Sequence, residues 1–276
     1  MALPRHATLS QRCWHYGLRI YCLLGFVFLL GPLLIIMPIS FSAGSFLSYP
    51  LPGLSLQWYE AIFAPYPWVA AFNNSLFVAT VTMLLATTLG TLAAYGLNST
   101  HFPGKQLVIG ILIAPLVVPV VIVALAVYFF FAQLGLIASY SGLILAHTVL
   151  AVPFVVITVT ATLQGFDRNL VRAAASLGAR PLATFFSVTL PNIWPGVVSG
   201  AVFAFVTSFD EIIIALFIAG PQQFTLPRQL FTGLRDKLDP SIVAVATLLI
   251  LISLFLLALV ELLRWRADKI SKAAPD

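Results

Sequence analysis

Two adjacent carboxylates, Asp210 and Glu211, stand deep in an apolar run, ten and nine residues before Gly220. At the helical rise this places them about 14 Å inside the run. Ionisable groups at such depth are costly unless they face water, a partner or a ligand, so a functional role is the default reading. No Lys or Arg lies within the apolar runs except at their ends, so the chain offers these acids no cation of its own. Neighbouring carboxylates in a poorly solvated place repel each other, and an arriving ammonium group relieves that repulsion. Helical spacing puts Gly196, Ser199, Phe203, Thr207 and Asp210 on one face and Gly200, Ala204, Ser208 and Glu211 on a second, about 100° away. One face is expected to line a path and the other to pack. Phe203 can add a cation–π contact of about 1 kcal/mol. Gly196 and Gly200 also form a GxxxG pair, which permits close helix contact.

Bond-making chemistry is not written in the chain. The sequence has no G-x-x-x-x-G-K-[ST] phosphate loop, no H-E-x-x-H pair and no G-x-S-x-G elbow. His6, His15, His101 and His147 are dispersed; His147, the one inside an apolar run, reads as a hydrogen-bonded helix contact. Cys13 and Cys22 have no metal-ligand spacing, and no disulfide is expected between them.

The elements that must position the acids follow from composition. Of 276 residues 61% are hydrophobic and 8% charged, too little charge for a water-facing surface, so the chain is an integral membrane protein. Long continuous apolar runs, rather than short alternating segments, indicate helices and not a β-barrel. Six spans are predicted, at about 19–41, 72–97, 107–131, 142–163, 193–219 and 242–263, in one domain covering 1–276 with a core over 72–264. The first run lacks a small-residue cleavage site and reads as a retained span. Eleven of the 14 Lys and Arg residues fall on the side of the termini, and Arg228, Arg235 and Lys237 on the other. Both termini are therefore expected in the cytoplasm. The same topology explains the net charge of +5 without nucleic acid. Pro115, Pro119 and Pro153 are expected to bend spans three and four. The segment 42–71 reads as an irregular interfacial stretch with an aromatic belt of Trp58, Tyr59, Tyr66 and Trp68. The loop around 227–238 reads as an amphipathic helix burying Leu230, Phe231 and Leu234 while Arg228, Arg235, Asp236 and Lys237 stay wet.

Between spans four and five, residues 164–192 form a polar stretch on the expected cytoplasmic side. It reads as a helix, a stop and a second helix: Asp167 caps the first, Gly178 supplies the left-handed position after it, Pro181 opens the second and Pro191 limits it. Helices of about ten residues do not hold alone in water, so they must dock on something. Leu170, Val171, Ala174 and Leu177 share one face of the first, and Ala173, Ala174 and Ala175 allow close approach.

Within this stretch Ala173, Ala174, Gly178, Val188, Leu190 and Pro191 stand at the spacing of the cytoplasmic "EAA" loop of ABC-importer permeases, and the chain resembles that family over about 56–272. Arg172 stands where the family usually has Glu, and Val188 replaces Ile. The resemblance implies an all-α fold of six transmembrane helices, the type I ABC importer permease fold. In it a coupling helix, carrying Arg172, Ala173, Ala174, Gly178, Leu190 and Pro191, sits in a groove of a cytosolic ABC ATPase dimer. ATP-Mg would then be bound and hydrolysed by that partner, and this chain would lie in the bacterial cytoplasmic (inner) membrane with a second permease subunit, a paralogue in the favoured reading and otherwise an identical copy, and an external solute-binding protein. The string SFDEIIIALFIAGP at 208–221 is similar to the fifth span of the spermidine/putrescine branch, which implies a polyamine cargo meeting Asp210, Glu211, Thr207, Phe203 and Ser199. Other small amino-bearing solutes, such as amino acid derivatives or aminophosphonates, are the alternative cargo. An ion-coupled secondary transporter would show internal repeats or paired broken helices, and an intramembrane enzyme would need converging nucleophile and base; the sequence presents neither.

Overall fold

The computed structural model describes residues 8–236, 238 and 240–255. These residues form helices and short π and 3-10 turns with no strand; one isolated bridge pairs Ser42 with Leu54. They divide into two compact units, one made of residues 8–64 and 233–255 and the other of Pro65–Thr232.

In the first unit α1 (Leu9–Ile39) carries the first span. None of the residues in its apolar stretch, Cys13–Ile39, is buried, as suits a helix whose solvent is lipid. The stretch that follows is more ordered than its prolines suggest, because its aromatic residues are tied down. The Trp58 indole donates to the Ser42 carbonyl (2.9 Å), the Tyr59 and Ser40 hydroxyls lie 2.7 Å apart, and both aromatics sit on α2 (Gln57–Ile62). The expected irregular belt is thus in part a helix. The sixth span is represented by the apolar helix Pro240–Phe255; its predicted remainder, with Arg264, Arg266, Lys269 and Lys272, lies outside the described residues, as do Arg5 and Lys237.

The second unit is organised by three long helices that pack on one another: α3 (Ala70–Ser99), α6 (Tyr140–Gln164) and α9 (Leu190–Phe209). A π turn at Pro65–Val69 leads into α3, and Trp68 within it is buried rather than interfacial. Ala86, Ala151, Val155, Val159, Ile193, Val197 and Ala204 close the interface of the three helices. Small residues make that closeness possible: a Cβ on Gly200 would stand 2.7 Å from Thr158 Oγ1, and one on Gly196 would stand 2.1 Å from Thr162 Oγ1. The GxxxG pair is therefore a packing device against α6. Gly196 belongs to this buried face and not, as its spacing suggests, to the face of Ser199 and Phe203.

The predicted third span is two helices, α4 (Lys105–Val117) and α5 (Val120–Gln133), bent by 108°. Val118 is extended, as a residue before proline tends to be, and Pro119 has no N–H to continue the ladder. Pro115 and Pro153, by contrast, sit inside helices that continue. Four helices are individually long and apolar enough to cross a membrane among the described residues, or five if the bent pair is one span.

The predicted fifth span is also broken. The α9 helix ends at Phe209, and the chain resumes as α10 (Ile213–Ile218), packed on α5 and α6. In the loop after it, Asn74 donates to the carbonyls of Gln222 (2.9 Å) and Phe224 (3.0 Å), and the Leu226 N–H donates to Ser75 Oγ (2.7 Å). The expected amphipathic helix spans Leu226–Asp236, with the boundary between the two units inside it. Arg228 is not wet as expected: it lies 3.9 Å over the Phe224 ring, donates to the Ala219 carbonyl, and is pulled below the ordinary guanidinium pKa by partial burial. Leu230 is half-buried as expected, whereas Phe231 and Leu234 are exposed.

Candidate functional site

The break between α9 and α10 separates the two acids by role. Glu211 is 9% exposed, and its carboxylate accepts hydrogen bonds from the backbone N–H groups of Ile213 (3.0 Å), Ile214 (2.8 Å) and Ala215 (3.3 Å). It closes the otherwise orphaned first turn of α10, where the helix end carries partial positive charge. His147 of α6 stands 4.0 Å away through Nε2, while its Nδ1 is 2.8 Å from Ser208 Oγ of α9. The partner that the sequence did not offer Glu211 is thus a helix terminus with a histidine behind it. His147 makes the helix contact expected of it, and Ser208, assigned only to packing, is the other half.

Asp210 is exposed, and its side chain makes no hydrogen bond or ion pair to another described residue. On the same open side of α9 lie Thr207, half-buried, and Phe203, which stacks on Phe154 of α6 at 6.2 Å. Ser199 is also exposed; its hydroxyl donates to the Pro195 carbonyl one turn back, at 2.8 Å. The second face, Gly200, Ala204, Ser208 and Glu211, is buried throughout. The two-face reading of the fifth span therefore holds in burial, apart from Gly196 and the break itself.

At the other end of α9 the polar stretch has the expected start and a different finish. The Asp167 carboxylate accepts from the Asn169 N–H (2.9 Å) at the head of α7 (Asn169–Ser176). Gly178 follows with φ of +79°, and the N–H groups of Leu177, Gly178 and Ala179 close on the carbonyls of Ala173, Ala175 and Ala174. Pro181 opens α8 (Pro181–Thr184), which passes through a π turn, Phe185–Thr189, straight into α9. Pro191 therefore does not end the second helix. In the π turn the Leu190 N–H reaches back to the Phe185 carbonyl, and the wider turn accommodates a ring that lacks a donor. On α7 Arg172 and Ala173 are exposed and Ala174 and Val171 half-buried, while Leu170 and Leu177 remain open, Leu177 at 89%. Arg168 donates to the Asn98 carbonyl in the last turn of α3 (2.6 Å), a tie absent from sequence spacing because 70 residues separate the pair.

Beside these features stand the comparisons with known proteins. The model of the family "binding-protein-dependent transport system inner membrane component" matches residues 86–269, and the chain belongs to that family. The spermidine/putrescine transport system permease protein PotC of Haemophilus influenzae is 31% identical over 239 residues, covering 86% of this chain and 92% of PotC. The putrescine transport system permease protein PotI of Escherichia coli K12 is 34% identical over 235 residues, 83% of each chain. Among solved structures, a bacterial ABC transporter involved in the import of the acidic polysaccharide alginate superposes with a TM-score of 0.75 at 13% identity, covering 94% of this chain and 99% of that one. A bacterial alginate ABC transporter in complex with a pentasaccharide-bound periplasmic protein gives 0.65 at 18%, covering 87% and 92%. The fold is that of ABC importer permeases, and the chain is a multi-pass transport permease subunit.

Proposed function

We propose that this chain conducts a polyamine inward across the cytoplasmic membrane as one permease subunit of an ABC importer, with ATP-Mg hydrolysed by a partner ATPase dimer. The observation that carries the reading is α9. One helix of 20 residues, about 30 Å long, holds the Arg172–Pro191 loop at one end and the unpartnered Asp210 at the other. A displacement of α7 by the ATPase reaches the open face through a rod already packed on α3 and α6. On that face Asp210 meets an ammonium group of the cargo, Phe203 offers its ring, and Thr207 and Ser199 offer oxygen atoms. Glu211, with its lone pairs taken by α10, holds the break in shape. The names of the relatives, spermidine/putrescine and putrescine permeases, support the cargo class. A second permease subunit, a paralogue, closes the other half of the path, and an external solute-binding protein delivers the cargo.

The test is uptake of labelled spermidine and putrescine by cells that lack their own polyamine importers, expressing this chain with its membrane partners. Uptake is expected to require the solute-binding protein and an intact ATPase, and an ABC ATPase is expected to co-purify with the chain. Uptake that instead follows an imposed ion gradient after ATP depletion would overturn the reading in favour of a secondary transporter.

Orientation is part of the same proposal. Both termini and the loop at 164–192 face the cytoplasm, on the asymmetry of the basic residues. Single cysteines at Lys105 and Ser48 should label from opposite sides of the membrane, Ser48 from outside. Labelling of both from one side would remove the basis for placing α7 beside a cytosolic ATPase.

A further inference from the structure

At the ends of α3 and α6, where both apolar runs stop, two cavities in the second unit share Asn98 as a border. One, of about 290 Å³, is bordered by Tyr95, Asn98, Ser99, Arg168, Arg172 and Thr189. Among the described residues no Asp or Glu borders it. Arg168 spends one donor on the Asn98 carbonyl, and the Arg172 guanidinium makes no hydrogen bond or ion pair to another described residue. Thr189 is fully buried, yet its hydroxyl has no hydrogen-bond partner among the described residues. A guanidinium carries five N–H donors, so the two arginines leave most of theirs for a ligand. The chemistry is that of an oxyanion site.

The second cavity, of about 420 Å³, is an open groove between α4 and α6 walled by Leu97, Ile109, Ile113, Val156 and Ile157. Lys105 and Gln164 stand at its border, and the Lys105 ammonium donates to the Thr100 carbonyl just past α3 (3.2 Å). An apolar groove with a cationic end, beside a basic pocket at the depth where spans leave the bilayer, matches the two halves of a lipid.

We propose that the basic pocket holds the phosphate of an anionic phospholipid, with an acyl chain of the same molecule lying in the groove between α4 and α6. The lipid bridges Arg168 and Arg172 of the loop to the Asn98 end of α3 and so braces α7 against the long helices. Lys105, at the mouth of the groove, adds attraction for the charged headgroup. Arg172 then has a ligand of opposite charge.

The full chain in nanodiscs, made either with phosphatidylglycerol or with phosphatidylcholine alone, provides the test. Phosphatidylglycerol is expected to be retained in native mass spectrometry and to raise the melting temperature, while phosphatidylcholine does neither. Arg172→Gln is expected to weaken retention about tenfold, the loss of one charge-assisted contact. Ile109→Trp, which fills the groove, is expected to weaken it without changing charge. Equal retention of phosphatidylcholine, or no effect of Arg172→Gln, overturns the proposal. Inorganic phosphate that protects the detergent-solubilised chain as well as the lipid does would assign the pocket to a free anion and overturn the role of the groove. None of these readouts depends on transport, so failure here leaves the cargo reading standing, and the reverse.

Discussion

Asp210→Asn is expected to lower polyamine uptake at least about tenfold while leaving the amount, melting temperature and partner assembly of the chain unchanged. Asp210 is exposed and its side chain makes no hydrogen bond or ion pair to another described residue, so the amide removes charge without removing a structural contact. A lost attraction of about 1.4 kcal/mol between a carboxylate and an ammonium in a site poorer in water than bulk already produces a tenfold change. Glu211→Gln is expected to behave in the opposite way. Its two carboxylate oxygens accept three backbone N–H bonds, and an amide must present an NH2 to at least one of those donors. An unsatisfied N–H in a buried place costs about 1–3 kcal/mol, so folded yield and melting temperature fall before any transport step is measured. Ser208→Ala and His147→Phe should resemble Glu211→Gln in kind, since both act on the contact behind the break. The two variants therefore separate on two instruments: uptake per folded complex for Asp210, and thermal stability in detergent for Glu211. Asp210→Asn at full uptake, or with a stability loss matching that of Glu211→Gln, would end the assignment of Asp210 to the path.

What the sequence disclosed and what it hid follow from what each signal measures. Apolar length reports that a segment lies in lipid, and so α3 and α6 were legible to within a few residues, whereas α1 begins at Leu9, ten residues before the predicted start, because a helix can run on past its apolar stretch. It does not report direction, and a chain that turns by 108° at Val118 and Pro119 has the same hydropathy as one that runs straight. Proline alone could not locate the bend, because Pro115 and Pro153 sit in helices that carry on. The break after Phe209 was hidden for a different reason. Glu211 reads as a costly carboxylate in a continuous helix, and only the folded chain shows that interrupting the helix makes the three donors that satisfy it. The α7 segment was legible because Asp167 and Gly178 act on their own backbone within a few residues. The contacts of His147 with Ser208 and of Arg168 with Asn98 join residues 61 and 70 apart, and no local rule reaches that far. Cargo is a finer property still. The alginate importer has this fold at 13% identity and is involved in the import of an acidic polysaccharide, so the arrangement of helices does not by itself report a cargo.

Gly178→Val is expected to reduce uptake and ATPase association by more than about tenfold in a protein that still inserts, and neighbouring variants should explain why. The residue sits at φ of +79°, a left-handed conformation that costs an ordinary L-residue about 1–2 kcal/mol and a β-branched one more. No described residue comes within 4 Å of where its Cβ would stand, so the cost is one of backbone conformation. Relief of that strain requires φ to change sign, which redirects the chain between Ala179 and Pro181. The bonds from Leu177, Gly178 and Ala179 that close α7 then open. Because α7 is only eight residues long, it lacks the propagation to survive the loss of its terminus. The span α6 and the rod α9 are packed on α3 and keep their place, so insertion and core stability are preserved. Asn tolerates the left-handed region far better than Val, with Ala between them. Uptake and ATPase co-purification should therefore fall in the order Gly, Asn, Ala, Val, with the melting temperature of the membrane-embedded core nearly constant. If Val at this position imports polyamine at the rate of Gly, or if Asn is as damaging as Val, the left-handed stop at Gly178 is not what presents α7 to the ATPase.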